Sequence, residues 1–358
     1  MPSLKEIKVR INSISSTLAI TSAMKMVAAA KLQKAQMAIQ NMLPYERRLY
    51  SMLVDLMGAM NISAAASEDG SVRGSGSAER GFDQSGDRLS LSNRHDLAGM
   101  DGAYSLMAQR EVRKVAIVAF ASNSSLCGAF NSNVIREATA VINEYRASGL
   151  RDSDIVVYSV GRKMAEAMRK LGFPSPADFT KMSDSPSYEA ASALAQELLD
   201  GFVSGRFDKV ELVYNHYKST SSQPTTRQTY LPLSLADATA DLQAGKIADS
   251  ASESDTNRGA ETVGAPVVRQ GSPTTEDLIV EPSKEALIAI LLPKVIRLRI
   301  FTTLLDSAAA EHAARTVAMQ LATDNGNDLL QELTLEYNKG RQQKITSEIL
   351  DLVGGSMQ

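Results

Sequence analysis

Ala23-Met24-Lys25-Met26-Val27-Ala28-Ala29-Ala30-Lys31 is a run of strong helix formers, and it lies inside a longer stretch built the same way. Residues Ser3 to Met57 contain no glycine, and their only proline is Pro44. Leu4, Ile7, Ile11, Ile14 and Leu18 recur at alternating steps of three and four, the spacing of a coiled-coil seam. A single helix over this span would be about 80 Å long at roughly 1.5 Å per residue. A small domain is narrower than that, so the helix predicts a partner helix and a partner protein.

The other end of the chain supplies the partner helix. Pro282-Ser283-Lys284-Glu285 opens a helical tract that runs almost to the end, with Ser283 as N-cap. Pro293 is expected to kink or interrupt it. Small residues crowd its middle (Ala308, Ala309, Ala310, Ala313, Ala314), which lets two helices approach closely. Leu330, Leu333 and Tyr337, then Ile345, Ile349 and Leu352, restore the seam spacing, and Gly354-Gly355 end the helix.

Between the two helical ends the periodicity changes. Val112 to Ala121 and Asp154 to Val160 are short apolar runs suited to strands buried on both faces. Helices are expected from the Asn131-Ser132-Asn133 cap to about Ala147, over Arg162 to Leu171, and over Tyr188 to Val203. Lys209 to Tyr217 and Thr226 to Leu233 read as two further strands. Strands alternating with helices make a Rossmann-like α/β domain with a mostly parallel sheet. The predicted organisation is a coiled-coil helix over 1–60, a flexible insertion over 61–110, the α/β domain over 111–235, a second flexible insertion over 236–280, and a coiled-coil helix over 281–358. The terminal helices pair antiparallel, with the α/β domain flanking one end. The insertions are rich in Ser, Gly and Asp and lack any period. The first is long enough to be either a linker or a binding arm.

Composition excludes several classes. The chain has 358 residues, no Trp, eight Phe and fifteen Met, which suits helices packed through aliphatic side chains better than a β-sandwich. Its one cysteine, Cys127, rules out an intrachain disulfide and a multi-cysteine metal site. The turn Ser124-Ser125-Leu126-Cys127-Gly128-Ala129-Phe130-Asn131 follows the first strand but matches neither G-x-G-x-x-G nor a P-loop, so it locks the sheet better than it holds a phosphate. His95, His216 and His312 show no metal or catalytic pairing, and His312 reads as a solvated or interface residue. No cofactor, metal or active site is expected. The first fifty residues carry eight Lys and Arg against Glu6 and Glu46. That basic face fits an acidic protein surface or acidic lipid, or plain solvation. Nucleic acid is disfavoured because no aromatics accompany the lysines. No apolar run reaches the roughly 18 residues of a membrane span.

The residues at both ends resemble one family. Ser3-Leu4-Lys5-Glu6-Ile7-Lys8 with Arg10-Ile11 and Ser13-Ile14, followed by Ile20-Thr21 and Ala23 to Leu32, is similar to the opening helix of ATP synthase gamma subunits. Glu311-His312-Ala313-Ala314-Arg315, Ala318-Met319, Ala322-Thr323-Asp324-Asn325, and Tyr337-Asn338 with Arg341-Gln342, Ile345-Thr346 and Glu348-Ile349 resemble the closing helix. Leu126-Cys127-Gly128 with Asn131, and Tyr214-Asn215, resemble the α/β domain of that family. The resemblance spans nearly the whole chain outside the insertions, with Thr316 and Ser125 standing where the family usually has Met and Gly.

It implies a non-catalytic rotor: an antiparallel shaft inside a hexamer of alpha and beta subunits, with the α/β domain and an epsilon-type subunit resting on a c-subunit ring driven by protons or sodium. It implies coupling contacts at Met24, Lys25 and Arg10 on the first helix and at Arg315, Gln342 and Thr346 on the last. Met24 could equally be a seam residue. It further implies an apolar tip of Ile345, Ile349, Leu352 and Val353 turning in the hexamer's bearing, and acidic beta-subunit loops against the basic face. Membrane contact would be indirect, through the ring. A chain starting at Met1 without a leader fits a bacterial protein, peripheral on the cytoplasmic side of the cell inner membrane. The rival classes are a coiled-coil adaptor or scaffold and, more distantly, an α/β enzyme with an unusual nucleotide site.

Overall fold

A computed structural model of the chain describes residues 3–68, 106–107, 110–233 and 283–355. The expected insertions over 61–110 and 236–280 lie largely outside the described residues. In chain order the elements are helix α1 (Leu4–Glu68), strand β1 (Val115–Phe120), α2 (Phe130–Ala147), β2 (Ile155–Val160), α3 (Arg162–Lys170), α4 (Thr180–Asp184), α5 (Tyr188–Val203), β3 (Lys209–Asn215), β4 (Thr225–Leu231) and α6 (Lys284–Gly355).

The sheet has the order β2-β1-β3-β4. β1 pairs parallel with β2 and with β3, and β4 closes the edge antiparallel to β3. All six residues of β1 are buried, and alternation sends them to two different cores. Val115, Ile117 and Ala119 pack with Val134, Val141, Met164 and Met168 of α2 and α3. Ala116, Val118 and Phe120 face the other way, against Leu194 and Leu198 of α5, Leu53 and Leu56 of α1, and Leu292, Val295 and Leu304 of α6. The rod is therefore rooted in the domain. Where the sequence placed the domain beside one end of the rod, the roots of both long helices form one of the sheet's two covering layers.

α1 runs 65 residues and α6 runs 72, about 98 and 108 Å at roughly 1.5 Å per residue. They are antiparallel. Tyr50 of α1 bonds Arg299 of α6, Glu46 meets Thr302 at 3.1 Å, and Lys25 meets Gln320 at 2.7 Å. Further out Thr21 meets Thr323 at 3.0 Å, and Leu18 packs onto Gly326. A Cβ at Gly326 would lie 2.7 Å from Leu18 Cδ2. A mid-helix glycine costs about 1 kcal/mol in propensity, which the close approach of the two backbones offsets. The predicted seam is present: Ile7 is buried, and Leu4, Ile11, Ile14 and Leu18 are half-buried, while Val9 and Ile20 off the seam are exposed.

Three local expectations are corrected. Pro293 sits inside α6 without interrupting it, with nine helical residues ahead of it; it forfeits one i−4 bond, and the nearby Leu292 and Val295, which hold the segment, are fully buried. Helix α1 continues through Ala64 to Glu68, which had read as loop. Asn131 does not cap α2, which starts at Phe130 with Ala129 ahead of it. Its amide is used instead to tie down the preceding turn.

Candidate functional site

No helix among the described residues is long and apolar enough to cross a membrane, and among those residues no cluster of His, Cys, Asp and Glu could hold a metal ion. The candidate site is the rod itself and its junction with the sheet.

The junction is built from turns that follow β1 and β3. After β1, Asn131 Oδ1 accepts from the Ser122 amide at 3.0 Å, and its Nδ2 donates to Ser124 O at 3.2 Å. Buried Cys127 and Phe130 pack on Ala310, with Tyr217 and Ala314 alongside. After β3, Asn215 donates to Phe130 O at 3.1 Å and accepts from Thr225 at 2.7 Å. The two asparagines thus lock adjacent strand ends together. The small side chains of α6 serve this junction as well as the helix pair: Ala309 and Ala313 pack on Leu32 of α1, with Ala35, Ile39 and Tyr217 around them.

Of the residues singled out in the sequence, Arg315 is drawn into this junction. Its Nη1 donates to Glu311 Oε1 at 2.7 Å and its Nη2 to Ser124 Oγ at 2.7 Å, and only 11% of its side chain is exposed. Lys25 is half-buried and spent across the seam on Gln320. Met24 beside it is half-buried, and Arg10 is exposed. Gln342 and Thr346 are exposed far along α6, the Thr346 hydroxyl turned back to Gln342 O at 2.9 Å. The residues therefore fall in two groups, one near the junction and one beyond it, and they do not converge on one cavity.

Past the junction the rod shows apolar surface. Met26 and Val27 on α1, and Leu321, Leu329 and Leu335 on α6, are all exposed. Leu4 of α1 lies against Gly340, so α6 outruns its partner by residues 341–355, roughly 22 Å of helix. Residues 341–350 are all exposed, and Ile345, Ile349 and Leu352 keep 48%, 54% and 74% of their surface. Val353 falls within the helix.

Several junction residues had no signal in the sequence. Glu46, Tyr50, Arg299 and Thr302 tie the two helix roots together, and Asp306 takes bonds from His216 and Tyr217. Their partners lie far away in the chain, so no local spacing announces them. His312, expected to be solvated or at an interface, is partly buried. Its Nδ1 is shielded from solvent without a hydrogen-bond partner. Burial first, then the Arg315 and Lys31 cations, push its pKa down to about 4. The unfolded chain takes up that proton near 6.5 while the folded chain stays neutral. Stability from this group is full above about pH 6.5 and falls as the pH drops toward about 4. Glu311, raised by burial against the pull of Arg315, works in the opposite direction. His312→Gln is expected to flatten the acid side of the melting temperature–pH profile. An unchanged slope in that variant would show that His312 does not resist protonation.

Comparison with known proteins converges on one family. The family described as ATP synthase matches residues 3–357. The chain is 46% identical over 357 residues to the ATP synthase gamma chain of Phocaeicola vulgatus, covering 100% of both chains. It is 45% identical over 358 residues to that of Bacteroides thetaiotaomicron, again covering 100% of both. Among solved structures, the rotor of the Euglena gracilis mitochondrial ATP synthase in rotational state 1 aligns with 96% of this chain and 98% of its own. The TM-score is 0.51 at 18% identity, a likeness of fold.

Proposed function

Because the chain belongs to the ATP synthase gamma-chain family, we propose that it is the central-stalk rotor of an F-type ATP synthase, coupling rotation of a c-subunit ring to conformational change at catalytic sites on the beta subunits. The observation that carries this reading is the long antiparallel helix pair rooted in the sheet domain, with an apolar tip that no part of α1 covers. A shaft needs those three properties. It must be stiff along its length, anchored at one end and able to turn against apolar walls at the other.

The chemistry then belongs to the beta subunits, and this chain selects the order of their states. Its partners are the alpha and beta subunits of the hexamer, an epsilon subunit and the c ring, with no nucleic acid and only indirect membrane contact. It would sit peripherally on the cytoplasmic side of the cell inner membrane, the ring being driven by protons or sodium. The rod corresponds to 1–60 and 281–358, the seat on the ring to the domain at 111–235, and the segments 61–110 and 236–280 to surface insertions. The exposed Arg10, Gln342 and Thr346 suit direct contacts with the hexamer, and Ile345, Ile349, Leu352 and Val353 suit the bearing. Arg315 and Lys25 suit a different part, holding the shaft's cross-section at the junction and seam.

Copurification tests the reading. One copy per three alpha and three beta subunits is expected, and a homodimer without them would leave the coiled-coil adaptor. Met24→Lys separates a coupling contact from a packing one. It places a second cation beside Lys25 on a half-buried stripe, and the expected result is an assembled complex that hydrolyses ATP with reduced ion pumping. Parallel loss of assembly and hydrolysis would make Met24 a packing residue only.

A further inference from the structure

The segment that follows β3 touches both helices of the rod at once. His216 Nδ1 and Asp306 Oδ2 of α6 lie 2.6 Å apart, and the next residue's amide, Tyr217 N, donates to the other oxygen of the same carboxylate at 2.9 Å. The Tyr217 hydroxyl then accepts from Gln36 Nε2 of α1 at 2.6 Å. One carboxylate and one tyrosine thus connect three elements: the end of the central strand, α6 and α1. The segment cannot slide along its own strand, because His216 N is also bonded to Pro224 O at 2.9 Å. Tyr217 is wedged between the clusters around Leu32 and Phe130. Any twist of the sheet domain about the rod axis pulls on this connection.

We propose that His216, Asp306, Tyr217 and Gln36 form a proton-sensitive clasp that fixes the sheet domain to the rod, tight when His216 is protonated and looser when it is neutral. A protonated imidazole makes a charge-assisted bond to Asp306, which is shorter and about twice as strong as a neutral one. The surroundings leave Asp306 as the dominant influence. The cleft of about 370 Å³ beside the pair is lined by Glu46 and Arg47 of α1 and Arg299 of α6 together with Asp306. Those charges are of mixed sign and nearly balance. Lys218 on the same turn opposes the proton, but the Asp306 hydrogen bond outweighs it and burial, and His216 stays above its ordinary range. Half of the His216 side chain is exposed, so solvent protons reach it. The sign follows from linkage: the clasp contributes fully below pH about 6.5 and weakens as the pH rises through the elevated value. Its consequence for torque rests on the rotor reading above; the clasp itself does not.

Hydrogen exchange of the full chain at pH 6 and pH 8, corrected for intrinsic exchange rates, tests the clasp without any partner. In the wild type, protection of peptides spanning 214–224 and 30–40 is expected to fall at pH 8. His216→Gln and Asp306→Asn should both lose that pH dependence, and His216→Lys, charged at both values, should keep high protection throughout. Wild-type protection independent of pH, or a pH effect surviving in His216→Gln, would overturn the proposal. Since His216 is half exposed, its variants leave the core intact even if Asp306→Asn fails to fold. In the assembled complex, the same variants read out torque as ions pumped per ATP hydrolysed. A clasp that behaves as described in a chain that never joins three alpha and three beta subunits would overturn the rotor reading alone.

Discussion

Gly161→Ala is expected to destabilise the sheet domain severely. Gly161 follows β2 at φ +96°, a region that L side chains rarely occupy. A Cβ there would lie 2.0 Å from the carbonyl oxygen of Ala121 and 2.8 Å from its carbon. Neither side of that contact can yield. Ala121 N is bonded to Val160 O at 2.8 Å, and Lys163 N to Ser122 O at 3.1 Å. Arg162 N reaches Asn123 Oδ1 at 2.8 Å. The chain leaving β2 is therefore stitched to the chain leaving β1 on either side of the glycine. A positive φ alone costs about 1–3 kcal/mol, and the backbone clash adds to it. The total should exceed about 3 kcal/mol, a large share of the 5–15 kcal/mol that holds an ordinary domain together. Denaturant unfolding of the full chain measures it. A loss under about 1 kcal/mol would mean that the β1 and β2 exits can separate without disturbing the sheet.

The second large effect lies under the sheet's antiparallel edge. Glu211 of β3 is 1% exposed, and three groups converge on its carboxylate. Arg227 of β4 donates at 2.7 Å, Lys209 lies at 2.7 Å, and the Tyr145 hydroxyl of α2 donates at 2.6 Å. Burial alone would raise its pKa, but the hydrogen bonds from Arg227, Lys209 and Tyr145 together outweigh burial, and the net shift is downward. Glu211→Ala leaves two cations and a phenol facing an apolar gap. Removing one partner of a buried ion pair costs about 3–5 kcal/mol; Arg227 and Lys209 keep some solvent access, so about 3 kcal/mol is expected. The pH dependence gives a separate check. A carboxylate held below its usual range stabilises the fold above the unfolded value of about 4.3 and loses that contribution as the pH falls through the folded one. Wild type and variant should converge in stability on acidification below pH about 4. A constant gap would show that charge is not what Glu211 supplies.

Both sites show why the sequence was informative in some places and silent in others. The helices and strands were legible because their signals are local. Ile7, Ile11, Ile14 and Leu18 repeat over about three turns, and Val115 to Phe120 is a closed apolar run. Each pattern is written in neighbouring residues and holds whatever the rest of the chain does. The interior of α6 at Pro293 and the role of Asn131 were misjudged for the complementary reason. A proline is tolerated where buried neighbours hold the helix, and an asparagine before a helix caps it only if no better acceptor or donor competes. Both competitors come from elsewhere in the fold.

The candidate site divides along the same line. Met24 and Lys25 on α1, and Gln342 and Thr346 on α6, could be marked because each pair stands in a motif along its own helix. That Lys25 is spent on Gln320 depends on the register of two helices whose paired residues are 295 positions apart in sequence, and that Arg315 turns inward to Ser124 depends on how α6 docks on a turn 191 positions away. Asp306 shows the limit most plainly. Nothing near it in the chain distinguishes it from any other helix-surface carboxylate, and its two donors sit 90 and 89 residues away. Periodicity and composition were enough to establish a long seamed rod, an α/β domain and the absence of familiar catalytic motifs. Rooting of the rod in the sheet, the overhang of its apolar tip and the clasp at His216 and Asp306 arose only when packing set which faces meet. A pattern of spacings fixes which side of a helix is apolar, but not how far along its partner that side will dock.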